Sequence, residues 1–478
     1  MPTRPGAPLA VCVEAPEPWA GRLRYALGEL LRGLGLEPAW TRRDDARLYV
    51  GTEPEAAPAS ALRLRAHVGE PRIAPELDTL GALELGEVRW PLPTGPAGTS
   101  AADPAADDPA GVVEADVVGA AWWWLAGVQE AAPGEGGPAR DAHGRFPFAA
   151  SLQARVEAVH GADAPGSALR PAVDAYRTWL GEALRARGAD VPGRTWGGAA
   201  WAVALTHDLD ATRTRRLRAL AGGLAAGDVG RAVRRALGPD ARWRSVLDLV
   251  ALGERHGARP TLFVKTGDGA PQDVALPRRD PRLAALLASG RIRAGLHPSY
   301  DAHDDPARLA AERDRLAAMR GEAPALVRTH FLRWAEPATP RALAAAGFAV
   351  DSTLGFAERP GARRGTTQPF RLWDRAADAV SSLWQVPLTV MDTTLAVYRG
   401  LDGDALAAAL AAALGAARRA GGCAVVLWHN DLGDGRPWTR RLARLDAAVA
   451  QARGQGAFVG GLGQALAAWG LAVRRSGE

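Results

Sequence analysis

The chain has 478 residues, of which 47% are hydrophobic, enough for two or three globular domains with ordinary cores and too apolar for disorder throughout. Its formal charge of +5 rests almost wholly on arginine, Lys265 being the single lysine among 58 basic residues. These are spread along the chain without aromatic interleaving, so nucleic acid is not an expected partner, and two cysteines, Cys12 and Cys423, are too few for a disulfide framework.

The opening Met1-Pro2-Thr3-Arg4-Pro5-Gly6 meets only a short apolar run before Glu14, which is not the pattern of a signal peptide. The longest apolar stretches, near residues 120–128 and 405–417, fall short of a bilayer span, so a cytoplasmic protein without a membrane span is expected. Strand-like residues 9–13 and 47–51 flank a helical pattern over 19–34, predicting a small α/β domain over residues 1–90. Its one histidine, His67, has no carboxylate or cysteine at ligand spacing. Residues 91–195 read as a linker and helical connecting region. A Pro- and Gly-rich loop comes first, over 91–111. A buried helix follows over 117–130, carrying Trp122, Trp123 and Trp124. Consecutive helical positions face different directions, so these rings are expected in a core and not as a sugar platform. A turn-rich segment, Asp141-Ala142-His143-Gly144-Arg145-Phe146-Pro147, and an amphipathic helix over 171–187 lead to a boundary near Pro192-Gly193. The basic stretch from Arg213 to Arg235 reads as solvated helix faces.

From residue 196 to 478 the pattern becomes regular. Strand-like runs recur at 199–205, 260–264, 292–296, 325–327, 348–350, 384–388, 424–428 and 457–459, with helical stretches between most of them. Alternating β and α units predict an α/β fold with a parallel sheet, and seven or eight of them predict a distorted (β/α) barrel. In such barrels chemistry gathers at the C-terminal ends of strands. The polar residues at those ends are Asp208 and Asp210, His297, Arg328 and His330, Asp351, and His429. Side chains alternate along a strand, so Asp208 and Asp210 share one side, and two close carboxylates call for a cation.

Thr206-His207-Asp208-Leu209-Asp210, Gly295-Leu296-His297-Pro298-Ser299, Arg328-Thr329-His330-Phe331 and Leu427-Trp428-His429-Asn430 together resemble, in type and order, the four motifs of the polysaccharide deacetylases, the family-4 carbohydrate esterases. The resemblance covers roughly residues 196–470; segment 141–147 and the extra N-terminal domain are similar to those of an uncharacterised bacterial branch. It implies a metal-dependent hydrolase acting on a carbon–nitrogen bond, one that removes an acetyl or similar acyl group from an N-acylated carbohydrate. A divalent metal, expected to be zinc, would polarise the acyl carbonyl and acidify water. Asp210 and His297 would ligate it, Asp208 would act as base with Arg328 bonded to it, and His429 would protonate the departing amine. The oxyanion would meet a backbone N–H near Phe331.

The second motif departs from the family: where a second histidine is usual stands Asp301, with His303 two residues on. His330 replaces the usual proline of the third motif. The third metal ligand is thus left open among Asp301, His303 and His330, or water. Asp351 and Asp392 are equal candidates to orient His429 or to cap turns, and His207 is expected to pack away from the carboxylates. The rival reading is a catalytically silent carbohydrate-binding or assembly protein on the same barrel. A barrel glycosidase, needing two flanking carboxylates, leaves the rim histidines unexplained. Oligomeric state is not legible.

Overall fold

The computed structural model describes residues 8–73, 76–85, 88–94, 100–101, 111–131, 133–213, 225, 227, 229–230, 233, 240–267, 269–273, 280–430 and 436–473. Much of the expected loop over 91–111 and most of the basic stretch from Arg213 to Arg235 lie outside the described residues.

The N-terminal part begins with parallel strands β1 (Leu9–Glu14), β2 (Pro38–Trp40), β3 (Leu48–Gly51) and β4 (Leu62–Arg65). A small sheet of β5 (Gly81–Leu85), β6 (Val88–Leu92) and β7 (Ser100–Ala101) follows, and then β8 (Val112–Val113) returns to pair with β4. The larger sheet has the order β2-β1-β3-β4-β8. Helices α1 (Trp19–Gly33), α2 (Val117–Leu125), α3 (Leu152–His160) and α4 (Ala172–Ala186) accompany it. Every residue of α2 is buried, and its three tryptophans turn three ways as the helical step demands. Trp122 meets Trp19 edge-on at 5.4 Å, Trp123 Nε1 donates to Arg72 O at 2.8 Å, and Trp124 packs beside Tyr176. They are core residues.

The second part is built on β9 (Trp201–Leu209), β10 (Thr261–Lys265), β11 (Arg293–His297), β12 (Leu326–Val327), β13 (Val350–Asp351), β14 (Phe370–Asp374), β15 (Ala379–Gln385), β16 (Leu388–Met391), β17 (Cys423–Leu427) and β18 (Ala457–Gly461). The path is β14-β15-β13-β12-β11-β10-β9-β17-β16, with β18 on β9. Except for the antiparallel β14–β15 hairpin the pairs are parallel, and β9 is buried along its whole length, as a central strand covered on both faces requires. Strands β18 and β10 share one edge of β9, end to end. They meet so closely that a Cβ on Gly461 would lie 2.0 Å from the Arg259 carbonyl oxygen, so only glycine fits there. Strand β15 pairs with β13 and β16 with β17, yet only Val386 and Pro387 separate β15 from β16. The sheet is therefore strongly curled.

One hydrophobic cluster runs from Leu30, Trp122 and Trp179 into Leu262, Leu296 and Leu372 of the central sheet. Buried polar clamps reinforce this contact. Asp174 on α4 accepts from Thr366 Oγ1 at 2.7 Å and from the Thr367 N–H at 2.9 Å, and Glu130 accepts from Arg363 Nε at 3.1 Å. Buried charges of this kind persist only when paired and hydrogen-bonded. Among the described residues no helix is long and apolar enough to cross a membrane.

Candidate functional site

The C-terminal ends of the parallel strands surround a cavity of about 210 Å³ lined by Asp208, Asp210, His297, His330 and His429, with Arg145, Phe331 and Tyr398 among its other walls. Strand β11 delivers His297 at its last position, and Pro298 then removes the next backbone donor, so the ladder stops there.

Asp210, His297 and His330 form the tightest group. His297 Nε2 lies 3.4 Å and His330 Nε2 3.5 Å from Asp210 Oδ1. The opposite nitrogen of each ring faces an acceptor: His297 Nδ1 is 2.8 Å from Arg328 O, and His330 Nδ1 is 3.1 Å from Asp273 Oδ1. Those acceptors place the ring protons on Nδ1 and leave both Nε2 lone pairs facing the carboxylate. Asp210 Oδ1 is itself buried and accepts no hydrogen bond. Two lone pairs and an orphaned carboxylate oxygen at such spacing suit a divalent cation with N and O ligands, so the donor set fits the implied metal. Burial lowers the His330 pKa to about 4, against the opposing pull of Asp273, and so favours the neutral ring a metal needs.

Asp208 sits on the other flank, its Oδ2 at 3.8 Å from His297 Nε2. Arg328, fully buried, donates from Nη1 to Asp208 Oδ1 at 3.0 Å and to Thr206 Oγ1 at 2.9 Å, while Nε bonds Ser352 O at 2.8 Å. Its guanidinium lies 4.4 Å from the centre of the Phe263 ring. That ring occupies the space a Cβ on Gly295 would need, 2.6 Å from Phe263 Cδ1. Glycine at 295, an aromatic at 263 and the guanidinium at 328 thus form one stack beneath Asp208.

His429 Nδ1 lies 2.6 Å from Asp392 Oδ1, and its backbone N–H donates to Asp392 Oδ2 at 2.8 Å. Burial lowers the His429 pKa, but Asp392, and then Asp210 and Asp208, outweigh it and raise it to about 10. Asp351 instead caps its own turn, accepting from the Thr353 N–H at 2.8 Å and from Thr353 Oγ1 at 2.5 Å, and burial raises its pKa to about 7. Of the two aspartates left open by the sequence, Asp392 is the one that touches His429. His207 packs away from the cavity, with Nδ1 2.9 Å from Trp428 O.

The structure does not bring Asp301 into the group. Its side chain is 56% exposed and pairs with Arg333 at 3.1 Å, because the chain after Ser299 turns into a short 3₁₀ segment, Tyr300–Ala302, that carries it outward. His303 stands beside Asp304 at 3.5 Å, also away from Asp210. Phe331 does reach the wall, on left-handed backbone at φ 58°, followed by Leu332 at φ 54°. Such conformations cost non-glycine residues on the order of 1–3 kcal/mol each and cluster at sites that need them.

Four residues at or beside the site went unassigned in the sequence reading. Lys265, known there only as the one lysine, ends β10 with its Nζ 3.5 Å from Asp210 Oδ1. Asp273 holds His330 from a loop. Arg145 comes from the turn-rich segment outside the central sheet and is held by Asp141 at 2.6 Å; it donates to Phe331 O at 3.2 Å and to the hydroxyl of the fourth, Tyr398, at 3.1 Å. Strand-end position was the available signal for Lys265, and the Asp-x-x-x-Arg turn for Arg145.

No family model matches the chain, and no curated protein matches it. Solved structures align with somewhat more than half of it. A Mycobacterium smegmatis protein assigned as a polysaccharide deacetylase is 21% identical with a TM-score of 0.40, over 58% of this chain and 91% of that one. A family-4 carbohydrate esterase from Streptomyces lividans, solved with acetate, is 16% identical with a TM-score of 0.30, over 56% and 95%. A family-4 pseudoenzyme from Bacillus anthracis is 12% identical with a TM-score of 0.30, over 55% and 65%. What the cluster can do follows from its own atoms.

Proposed function

We infer that this chain is a divalent-metal-dependent hydrolase that removes an acetyl or similar acyl group from an N-acylated sugar or polysaccharide precursor. The observation that carries the reading is Asp210 Oδ1, buried without a hydrogen bond and faced by two imidazole Nε2 atoms at 3.4 and 3.5 Å. Asp210, His297 and His330 would hold the ion, zinc by the chemistry of the ligands. When bound, such an ion acts as a Lewis acid on an acyl carbonyl and on water. Asp208, oriented by Arg328, accepts the proton of the attacking water. His429, oriented by Asp392, carries a proton at Nε2 for the departing amine. The Phe331 N–H is the proposed oxyanion donor. The four strand-end motifs support the substrate class, and the short link between β15 and β16 supports closure into a distorted barrel of seven to eight strands, with residues 1–90 and 91–195 as the smaller domain and its connection.

The test is to purify the protein, measure its metal content and assay acetate release from N-acetylated oligosaccharides, with Asp210→Ala beside it. Loss of both metal and activity in the variant is expected; retention of both would refute the assignment. One observation favours the silent-binder alternative: the second-motif position Asp301 points out to solvent. Stoichiometric glycan binding that is insensitive to chelator and unaccompanied by metal would select it.

A further inference from the structure

Lys265 is the only lysine in a chain whose other basic residues are all arginine, and its side chain is 1% exposed. Its Nζ lies 3.0 Å from His330 Nε2 and 3.2 Å from His330 Nδ1, and so sits over the face of the ring, 3.5 Å from Asp210 Oδ1 and 3.5 Å from Asp273 Oδ1. An ammonium can only donate, and the carboxylate oxygen it faces, Asp210 Oδ1, is one the metal would need. Lysine and metal therefore compete for that oxygen. A compact ammonium on a flexible stem can move within a seat bounded by two carboxylates and a ring.

We propose that Lys265 is an intramolecular competitor for the metal: its ammonium neutralises Asp210 from over the His330 ring when the ion is absent, and must swing away before the three-ligand set is complete. Asp273 supplies the second seat. Its carboxylate is already within 3.5 Å of Nζ and stays bonded to His330 Nδ1, so the lysine can shift toward it while the ring keeps its orientation. A charged group held beside a divalent cation also opposes its binding through simple repulsion. The consequence is a centre whose affinity is set by a side chain that is not a ligand. This rests on reading Asp210, His297 and His330 as a metal centre.

The experiment uses the full chain stripped with chelator and titrated with zinc alone by calorimetry, against a competing chelator where affinity is high. Lys265→Met is expected to bind one zinc at least tenfold more tightly than the natural chain, and Asp273→Asn more weakly than the natural chain. In an Asp210→Asn background the lysine change should give no gain, because the contested carboxylate charge is gone. Equal or weaker zinc binding by Lys265→Met overturns the proposal, as does an undiminished gain without the Asp210 charge. If neither the natural chain nor Lys265→Met binds zinc, the metal-centre reading fails and this proposal with it. A failure on the lysine arm alone leaves that reading standing. Circular dichroism verifies folding, and Lys265→Gln replaces the methionine variant should that one not fold.

Discussion

Asp392 grips His429 twice, through Oδ1 at 2.6 Å from the ring Nδ1 and through Oδ2 on the backbone N–H at 2.8 Å. The pair makes His429 a residue that keeps its proton up to about pH 10. Asp392→Asn keeps the shape and removes the charge. It is expected to lower kcat on an N-acetylated oligosaccharide by about 10²- to 10⁴-fold and to move the alkaline limb of the pH profile downward. The stability sign follows from the same pair: a raised histidine pKa stabilises the fold fully below its ordinary value near 6.5, and that contribution is lost as pH rises through about 10. The stability gap between natural chain and variant, read by urea unfolding, should therefore be widest in acid and narrow toward pH 10. A gap independent of pH would contradict the pairing.

Metal content separates two residues that the sequence left level. His330→Ala removes a proposed ligand and should weaken zinc binding by about 100-fold or more, since even an outer partner of such a site typically matters 10- to 100-fold. Asp301→Ala removes an exposed partner of Arg333, a pair worth about 0–1 kcal/mol, and should leave zinc binding unchanged. Both are read by equilibrium dialysis with elemental analysis.

Gly295→Ala tests the stack beneath the proposed base. The added methyl would meet the Phe263 ring at 2.6 Å and the Leu326 carbonyl oxygen at 3.0 Å. Overpacking of this kind costs about 1–3 kcal/mol, measurable as a lower urea midpoint. The displaced ring lies under Arg328, so kcat should fall as well. Gly295→Ala paired with Phe263→Leu should recover part of both losses.

Arg145 ties the N-terminal part of the chain to the cavity. Arg145→Ala removes its bonds to Phe331 O and to the Tyr398 hydroxyl and leaves Asp141 without its side-chain partner. A loss of about 1–3 kcal/mol in stability is expected from the charged bonds. KM on the oligosaccharide should rise about tenfold, more than kcat falls, because the residue lines the cavity wall apart from the reacting groups. An unchanged KM would mean that the segment only braces the loop.

The sequence by itself determined where most strands of the central sheet fall and which polar residues end them, although its run over 384–388 straddles the end of β15 and the start of β16. Continuous apolar runs such as 199–205 have no other home than a buried parallel strand, and a residue's place at a strand's end is a local property of the chain. Asp208, Asp210, His297, Arg328, His330 and His429 were legible on that ground, as were the three core tryptophans of α2. The β14–β15 hairpin was not, because its outer residues are half exposed and alternate weakly.

Only the tertiary structure decided the rest. It turned Asp301 outward and Asp392 toward His429, set Asp351 to cap a turn, and brought Arg145 to the cavity from a segment outside the sheet and Lys265 and Asp273 to His330 from a strand end and a loop. These choices depend on the paths of loops and on contacts between residues up to 253 positions apart, such as Arg145 with Tyr398. A loop's direction is settled by packing against distant parts of the chain, and no local periodicity encodes it.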